Sequence, residues 1–275
     1  METALLNYFV LDDALHSTCD FNIMFAENDV SIYEVVRIDS AAPLFLEAHI
    51  KRFYESARLE GRVIPVPPEL VRQSLKTLIH ENMLVFGNIK FLYKWDASGN
   101  QHFFVWVMPF FYPNQEQYKN GVFVDVMNAE RPNPNSKKVL IRLIEKADAQ
   151  IAKNKCFEVI YLNGKNEITE GSRSNIFFVQ DRKLVTPELS SVLPGVTRAA
   201  IIELARQSGI TVVEKKIQLT DIGDFSSCFL SGTSPKILPV VKLHDHFFDV
   251  GNTVINFLMD AYIKLCNTEK KEFHW

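Results

Sequence analysis

Hydrophobic and polar positions along this chain follow two periods, which predict where helices and strands lie. Two stretches with apolar residues every three to four positions, 44–59 and 68–81, predict amphipathic helices. Runs rich in β-branched and aromatic residues predict strands around these helices, at 6–11, 32–38, 88–93 and 103–108. We therefore expect the first half to be a sheet with two helices.

The second half shows the same mixture of periods. After Lys137, one helical face is formed by Leu140, Ile141, Ile144, Ala147 and Ile151. Further helices are predicted at 197–208 and 251–265, and strands at 122–128, 157–162, 176–180, 183–186, 212–216 and 228–231. The turn residues 112–115 and Gly121 indicate a boundary. We predict a mixed α/β (α+β) chain with an N-terminal domain 1–113, a linker 114–121 and a C-terminal domain 122–275.

Three short motifs carry the candidate chemistry. EGSRSN at 170–175 has one carboxylate before a Gly/Ser-rich turn, LPGVTR at 193–198 leads into a helix, and SGTS at 231–234 follows a strand. The first N–H groups of a helix lack intrahelical partners and attract an anion such as phosphate. Amides and hydroxyls of the SGTS turn could form a second wall of the same anion site. Together the motifs offer an acid and backbone donors, which suit a cofactor with a ring nitrogen and a phosphate.

In this order and spacing, the three motifs resemble those of the class IV (fold type IV) pyridoxal-phosphate enzymes. That family includes branched-chain aminotransferases, D-amino acid aminotransferases and aminodeoxychorismate lyase. The resemblance extends to SIYEVVR at 31–37 and HIKRFYESA at 49–57, so it covers nearly the whole chain. It implies the two-domain fold of the D-amino acid aminotransferase type, pyridoxal 5′-phosphate as cofactor, an amino acid and a 2-oxo acid as substrates, and a homodimer.

The resemblance implies a lysine that forms a Schiff base with the cofactor, and two adjacent lysines compete for this role. Lys137 and Lys138 lie 33 and 32 residues before Glu170, and either separation suits the family. The Asn-Pro-Asn-x-Lys context, residues 133–137, resembles that of related enzymes and favours Lys137. The helical pattern that follows is compatible with both, so Lys138 stays open as the alternative.

Other site residues follow from the resemblance. Glu170 matches the carboxylate that contacts the pyridine nitrogen, and Arg52 matches a phosphate-binding arginine with a fork suited to phosphate oxygens. Glu170 could otherwise be a solvated turn residue, and Arg52 could lie on the wet face of its helix. Further cofactor-binding candidates are Ser174, Asn175, Val196, Thr197, Gly232 and Thr233. Tyr33 and Ser234 are the candidate substrate-binding residues, although Tyr33 could equally belong to the core.

Departures from the family bear on the substrate. Residues 26–31 lack the Phe-Gly-Asp-Gly of some relatives, and 90–96 lack the Thr-Arg-Gly that binds substrate carboxylate in D-amino acid aminotransferases. Lys94 or Lys236 could replace that arginine. The missing Thr-Arg-Gly argues against a D-amino acid substrate, and we expect an aminotransferase acting on a branched-chain-like amino acid. The alternatives are an aminodeoxychorismate lyase that releases pyruvate, and a non-catalytic member of the family.

Composition agrees with an ordinary globular enzyme. The 275 residues are 47% hydrophobic and 23% charged, with a net charge of −3 and no basic or aromatic-interleaved segment for nucleic acid. The four cysteines are scattered, without zinc-ligand spacing, which favours reduced thiols, no metal and the cytoplasm. The first residues do not resemble a signal peptide, and no run approaches the ~20 apolar residues of a membrane span.

Overall fold

The structure is a computed structural model that describes residues 2–23 and 29–275. The departure noted at 26–31 therefore lies partly outside the described residues. The chain divides into two compact units. The first comprises Met1–Phe111, Ser136–Val139 and Cys266–Trp275, and the second comprises Tyr112–Asn135 and Leu140–Leu265.

In its described residues, the first unit is built on a six-stranded antiparallel sheet with the strand order β2-β1-β6-β5-β3-β4. Its strands are β1 Leu5–Leu11, β2 Ala14–Ser17, β3 Val30–Asp39, β4 Ala42–Pro43, β5 Phe86–Trp95 and β6 Gln101–Met108. Helices α1 Leu46–Leu59 and α2 Pro68–Glu81 follow the predicted amphipathic stretches, and a short 3₁₀ turn covers Thr18–Asp20. α1 buries Leu46, Ile50, Phe53 and Ala57, which recur at helical spacing. Burial of this apolar face stabilises the helix on the sheet.

The second unit, in its described residues, contains a larger mixed sheet ordered β12-β11-β10-β14-β15-β7-β8-β9-β13, with β16 beside β15. Parallel pairs join β7 to β8, β15 to β7 and β11 to β12. The strands are β7 Val122–Asn128, β8 Glu158–Leu162, β9 Glu167–Gly171, β10 Asn175–Gln180, β11 Lys183–Thr186, β12 Val212–Glu214, β13 Ile217–Gln218, β14 Ser227–Gly232, β15 Lys236–Leu243 and β16 His246–Phe247. The helices are α3 Gln115–Asn120, α4 Ile141–Asn154, α5 Val196–Gln207 and α6 Thr253–Glu272, with 3₁₀ turns at Leu189–Ser191 and Leu219–Asp224. The mixed α/β class predicted from the sequence is confirmed.

The division into units differs from the predicted domain boundaries. Residues 114–121 were predicted as a linker, but Gln115–Asn120 form α3 of the second unit. Asn114 accepts a hydrogen bond from the N–H of Gln117 at 2.8 Å, and the Gln117 side chain accepts one from the N–H of Asn114 at 3.0 Å. This reciprocal capping box starts a helix where a turn was expected. Ser136–Val139 and the end of α6 from Cys266 also belong to the first unit, not the second.

No helix in the described part of the chain combines the length and apolar character needed to cross a bilayer.

Candidate active site

The segment that carries the two candidate lysines is held by hydrogen bonds to β3 and α1. The N–H of Tyr33 donates to the carbonyl of Lys137 at 3.1 Å, and the N–H of Val139 donates to the carbonyl of Ser31 at 2.9 Å. On the other side, the N–H of Lys137 donates to Oγ of Ser56 at 3.1 Å. The segment thus forms an isolated antiparallel β-bridge with β3, which fixes the backbone from which Lys137 projects.

Because successive side chains of an extended segment point to opposite sides, the two lysines have different neighbours. Lys138 pairs with Ile32, and its Nζ forms an ion pair with Oε2 of Glu60 at 3.2 Å. Nζ of Lys137 lies 4.7 Å from the ring centroid of Tyr33. The two ammonium groups therefore have different chemical surroundings, an acid for Lys138 and an aromatic ring for Lys137.

The Tyr33 ring contacts a second cation. Nζ of Lys90 lies 4.5 Å from the Tyr33 ring centroid and 5.3 Å from that of Trp106. Lys90 is buried and forms an ion pair with Glu2. Tyr33 itself is only partly buried, against a cluster that includes Leu92 and Trp106. Its electron-rich face thus stabilises positive charge beside Lys137.

Arg52 does not lie on a wet helix face. It is buried, and its Nε and Nη2 donate to Oε1 and Oε2 of Glu34, both at 2.6 Å. Nδ1 of His49 lies 2.8 Å from Oε2 of the same carboxylate. One edge of the guanidinium fork is therefore occupied by Glu34, so a bidentate phosphate contact through that edge is excluded in this arrangement. Glu34 and the role of His49 beside it were missed from the sequence.

Electrostatics make Glu34 an anion and His49 a neutral ring near pH 7. Burial by itself would raise the pKa of Glu34, but the charge and hydrogen bonds of Arg52, with the hydrogen bond from His49, lower it from 4.5 to about 2. Burial lowers the pKa of His49 below 6.5 despite the opposing effect of Glu34, and the charges of Arg52 and Lys137 lower it further. Because a carboxylate only accepts, the neutral ring donates to it through Nδ1.

In the second unit, Glu170 is buried within β9 and is not a solvated turn residue. Its side chain is 5% exposed. Oε2 accepts a hydrogen bond from the N–H of Leu193 at 3.0 Å, and Oε1 lies 3.3 Å from Nε of Arg131. Both contacts favour the ionised carboxylate. Arg131 was not predicted; its one signal in the sequence is its place three residues after the end of β7.

The turn after Glu170 is shaped by a second buried acid, Glu158. Its Oε1 accepts from the Ser172 hydroxyl at 2.6 Å and the Ser172 N–H at 3.2 Å. Its Oε2 accepts from the Arg173 N–H at 3.1 Å and the Ser174 hydroxyl at 3.2 Å. A Cβ at Gly171 would lie 2.2 Å from Oγ of Ser174, so the tight turn requires glycine there. The Ser174 hydroxyl, a predicted cofactor contact, thus serves the turn.

Asparagines hold the loop before α5. Nδ2 of Asn175 donates to the carbonyl of Leu193 at 3.0 Å. Nδ2 of Asn135 donates to the carbonyls of Leu189 and Val192 at 2.7 and 2.8 Å. A Cβ at Gly195 would lie 2.1 Å from Oδ1 of Asn175. Together with Glu170, these side chains fix the loop that delivers the start of α5.

The N-terminus of α5, where the sequence predicts an anion site, begins without a side-chain cap. Gly195 is its N-cap and provides no side-chain hydrogen bond. Val196 and Thr197 lie in the first turn, and Thr197 is buried, 3.5 Å from the Tyr262 hydroxyl. Arg198 is directed elsewhere, since Nη2 donates to the Pro187 carbonyl and to Glu214. The first N–H groups of α5 therefore have no side-chain cap, as an anion-binding helix end requires.

The SGTS turn lies at the end of β14, the strand that pairs with β10. Ser231 is paired with Asn175 across β14 and β10, so their side chains share a face. The Ser231 hydroxyl is buried and has no hydrogen-bond partner within the described residues. Gly232 ends β14, and Thr233 and Ser234 lie in the turn to β15. An unsatisfied buried hydroxyl is costly alone, which fits a site that receives a polar ligand.

The structure thus groups the predicted residues by unit. Tyr33, Arg52 and Lys137 are in the first, and the second holds Glu170, Ser174, Asn175, Val196, Thr197, Gly232, Thr233 and Ser234. Lys94, a candidate carboxylate binder, is 2.9 Å from Oδ2 of Asp29 and is engaged in that ion pair. No cluster of metal-ligating side chains occurs among the residues that the structure describes.

Comparisons with known proteins give a consistent picture. A family model described as amino-transferase class IV matches residues 31–243. A probable branched-chain-amino-acid aminotransferase of Thermotoga maritima is 30% identical over 234 residues, 83% of each chain. A D-alanine aminotransferase of Listeria monocytogenes is 30% identical over 230 residues, 77% of this chain and 78% of that protein. The solved branched-chain amino acid aminotransferase of Escherichia coli has a similar fold, with a TM-score of 0.86 and 22% identity over 98% of both chains.

Proposed function

The chain belongs to the class IV aminotransferases, and from this premise we propose that it transfers an amino group between a branched-chain-like amino acid and a 2-oxo acid. The family match confirms the resemblance carried by the sequence motifs, and with it an enzyme that uses pyridoxal 5′-phosphate. The observation that carries the proposal for this chain is the family match over residues 31–243, within which the lysine segment is fixed by β3 and α1.

The residues present fit the cofactor. The uncapped start of α5 and the unsatisfied Ser231 hydroxyl are the donors that a phosphate group uses. Gly195 has no room for a Cβ because Asn175 packs against it, so the loop before α5 is held in one conformation. In our proposal Val196, Thr197, Gly232, Thr233 and Arg52 bind the phosphate. Glu34 holds Arg52 through Nε and Nη2, which sets the plane of the guanidinium.

Lys137 is our proposed attachment and proton-transfer residue. The bound cofactor acts as the electron sink for the substrate carbanion. With the cofactor bound, Nζ of Lys137 would take the proton from the substrate Cα and hold it for its return. The ion pair of Lys138 with Glu60 supports this choice, because it engages the Lys138 ammonium with a carboxylate, whereas Nζ of Lys137 lies over the Tyr33 ring.

Glu170 is proposed to hold a proton on the pyridine nitrogen. Its carboxylate is kept ionised by the Leu193 N–H and by Arg131. The buried position keeps water from competing for the charge. Asn175 and Glu158 orient the surrounding backbone and have no direct part in proton transfer.

The substrate proposal is a branched-chain-like amino acid, with Tyr33 and Ser234 as contacts. This proposal is based on the name of the Thermotoga relative, a probable branched-chain-amino-acid aminotransferase. The Listeria relative is a D-alanine aminotransferase, so D-alanine is the competing substrate. The missing Thr-Arg-Gly in β5 supports the first choice, as does the engagement of Lys94 with Asp29.

We further propose a cytoplasmic homodimer. Cys19, Cys156, Cys228 and Cys266 are free thiols, which supports a reducing compartment. Large apolar side chains such as Phe86 and Phe111 are exposed on the first unit, and burial of such residues is a usual driving force for self-association. The molar mass of the purified protein in solution tests the dimer.

Half-reactions with a panel of amino acids test the proposed function. Addition of L-leucine or L-valine should change the absorption of the bound cofactor from the aldehyde to the amine form. A change with D-alanine alone would replace the substrate assignment. Release of pyruvate from aminodeoxychorismate, with no response to amino acids, would establish the lyase alternative.

A further inference from the structure

Glu34 is a carboxylate in a row of core residues. Along β3, alternate residues face the helices, and Ile32, Val36 and Ile38 of this row are fully buried. Glu34 belongs to the same row and is 0% exposed. Burying a carboxylate in such a position costs free energy unless it is paired and hydrogen-bonded. The position therefore needs an explanation beyond packing.

The partners of Glu34 are supplied by one helix. Arg52 and His49 lie one turn apart on α1, and both bind the carboxylate, at 2.6 Å for each Arg52 contact and 2.8 Å for His49. The bidentate geometry fixes the plane of the guanidinium as well as its position. A long, flexible arginine side chain is thereby held in one orientation before any ligand arrives.

Glu34 also contributes negative charge to a cationic environment. The Arg52 guanidinium and the neutral His49 ring face it from α1, and the charge of Lys137 acts on His49. Lys90 contacts the Tyr33 ring on which Lys137 also lies, with Glu2 as its ion-pair partner. Lys138 is paired with Glu60. Loss of the Glu34 charge would leave more positive charge around Lys137.

We propose that Glu34 is a positioning residue that orients Arg52 for the phosphate of the cofactor and offsets positive charge near Lys137. This inference rests on the proposed function, since it assumes that Arg52 and Lys137 meet pyridoxal 5′-phosphate. It adds a buried carboxylate that does not touch the reacting atoms but acts through Arg52 and through its charge.

The test compares three variants of the full chain with the wild type. Glu34→Gln removes the charge at constant size, and Glu34→Asp keeps the charge but is too short to hold both partners. Glu47→Gln is the matched control, because Glu47 forms the same bidentate pair with Arg72, at 2.8 and 2.6 Å, on the exposed side of the molecule. Three quantities are measured for each protein: the Kd for pyridoxal 5′-phosphate, the pH midpoint of the bound cofactor's absorption change, and the melting temperature without cofactor.

Glu34→Gln should weaken cofactor binding about tenfold, the effect of losing one charge-assisted hydrogen bond in the arrangement of Arg52. The midpoint should move to lower pH, because removal of a nearby anion disfavours the protonated lysine nitrogen. Glu34→Asp should weaken binding while its midpoint stays near that of the wild type. The Glu47→Gln control should match the wild type in both quantities.

A lower melting temperature with unchanged Kd and midpoint would overturn the inference and make Glu34 purely structural. If Glu34→Gln does not fold, an unchanged Kd in Glu34→Asp overturns the positioning role in the same way. Failure of the proposed function has a different signature: the wild-type protein then binds no pyridoxal 5′-phosphate, and both proposals fall. If the wild-type protein binds pyridoxal 5′-phosphate and the Glu34 substitutions change neither Kd nor midpoint, only the role proposed for Glu34 falls.

Discussion

Glu170 accepts a hydrogen bond from the backbone N–H of Leu193 at 3.0 Å, so the carboxylate of one sequence motif holds the loop of another. The same loop receives Asn175 at the carbonyl of Leu193. A residue chosen for its contact with a ring nitrogen therefore also fixes the chain that leads to α5. Substitutions here have to be designed to separate the two effects.

Glu170→Gln should retain the cofactor and lose most of the turnover. The amide oxygen can still accept from the Leu193 N–H, so the loop stays in place, but the charge facing Arg131 is lost. A protonated ring nitrogen matters mainly in the transition state, so kcat should fall while cofactor Kd changes little. Steady-state kinetics and a cofactor titration measure the two quantities.

The matched control is Glu167→Gln on the same strand, whose side chain binds Asn163. This variant should turn over at the wild-type rate. Normal kcat in Glu170→Gln would show that the ring nitrogen has another partner.

Lys137→Ala should abolish covalent attachment of the cofactor, and Lys138→Ala should preserve it. The reason is that Nζ of Lys138 is engaged in an ion pair with Glu60, whereas Nζ of Lys137 lies over the Tyr33 ring. Borohydride reduction followed by peptide mass analysis identifies the modified lysine directly. Labelling at residue 138 in the wild type would reverse the assignment, and labelling of neither residue would remove it.

Gly195→Ala should destabilise the protein and weaken cofactor binding. The added Cβ would lie 2.1 Å from Oδ1 of Asn175, so either the asparagine or the loop must move. Overpacking of this kind typically costs about 1–3 kcal/mol of unfolding free energy. Urea unfolding gives the change in stability. Gly164→Ala is the control, because nothing lies within 4 Å of its Cβ, and equal stability losses in the two variants would contradict this account.

The stability of the protein should fall steeply below about pH 4.5, in part through Glu34. The pKa of this carboxyl is lowered from 4.5 to about 2 in the folded state, so its contribution is complete above 4.5 and is lost as the pH falls towards 2. Unfolding free energy measured across this window should decline less in Glu34→Gln than in the wild type. An identical pH dependence in the two proteins would show that the Arg52–Glu34 pair does not contribute.

Periodicity predicted most of the regular structure, because burial of one face dominates where apolar residues repeat. The apolar repeat over 44–59 located α1, and the LPGVTR motif located the start of α5. Asn114 contributed to the linker prediction, because asparagine is common both at the start of a turn and at the N-cap of a helix, and here it is the N-cap of α3. Local composition does not distinguish these outcomes.

The site residues that sequence reasoning missed act through tertiary contacts. Glu158 and Arg131 are ordinary charged residues in the sequence, and their partners lie 14 to 16 and 39 residues away. Glu34 had a usable signal, since it shares the strand parity of Ile32 and Val36 and so had to be buried. Glu170 was expected at the edge of a turn, but pairing of β9 with β8 and β13 places it inside the sheet.

The four residues Ser136–Val139 have a practical consequence for dissecting the protein. They belong to the first unit, although the chain on both sides of them belongs to the second. A truncated protein that begins at residue 112 would contain Lys137 but neither Ser56 nor Tyr33, which hold its backbone. Expression of the C-terminal half alone should therefore yield a fragment whose lysine has no defined orientation, and the two halves have to be studied as one polypeptide.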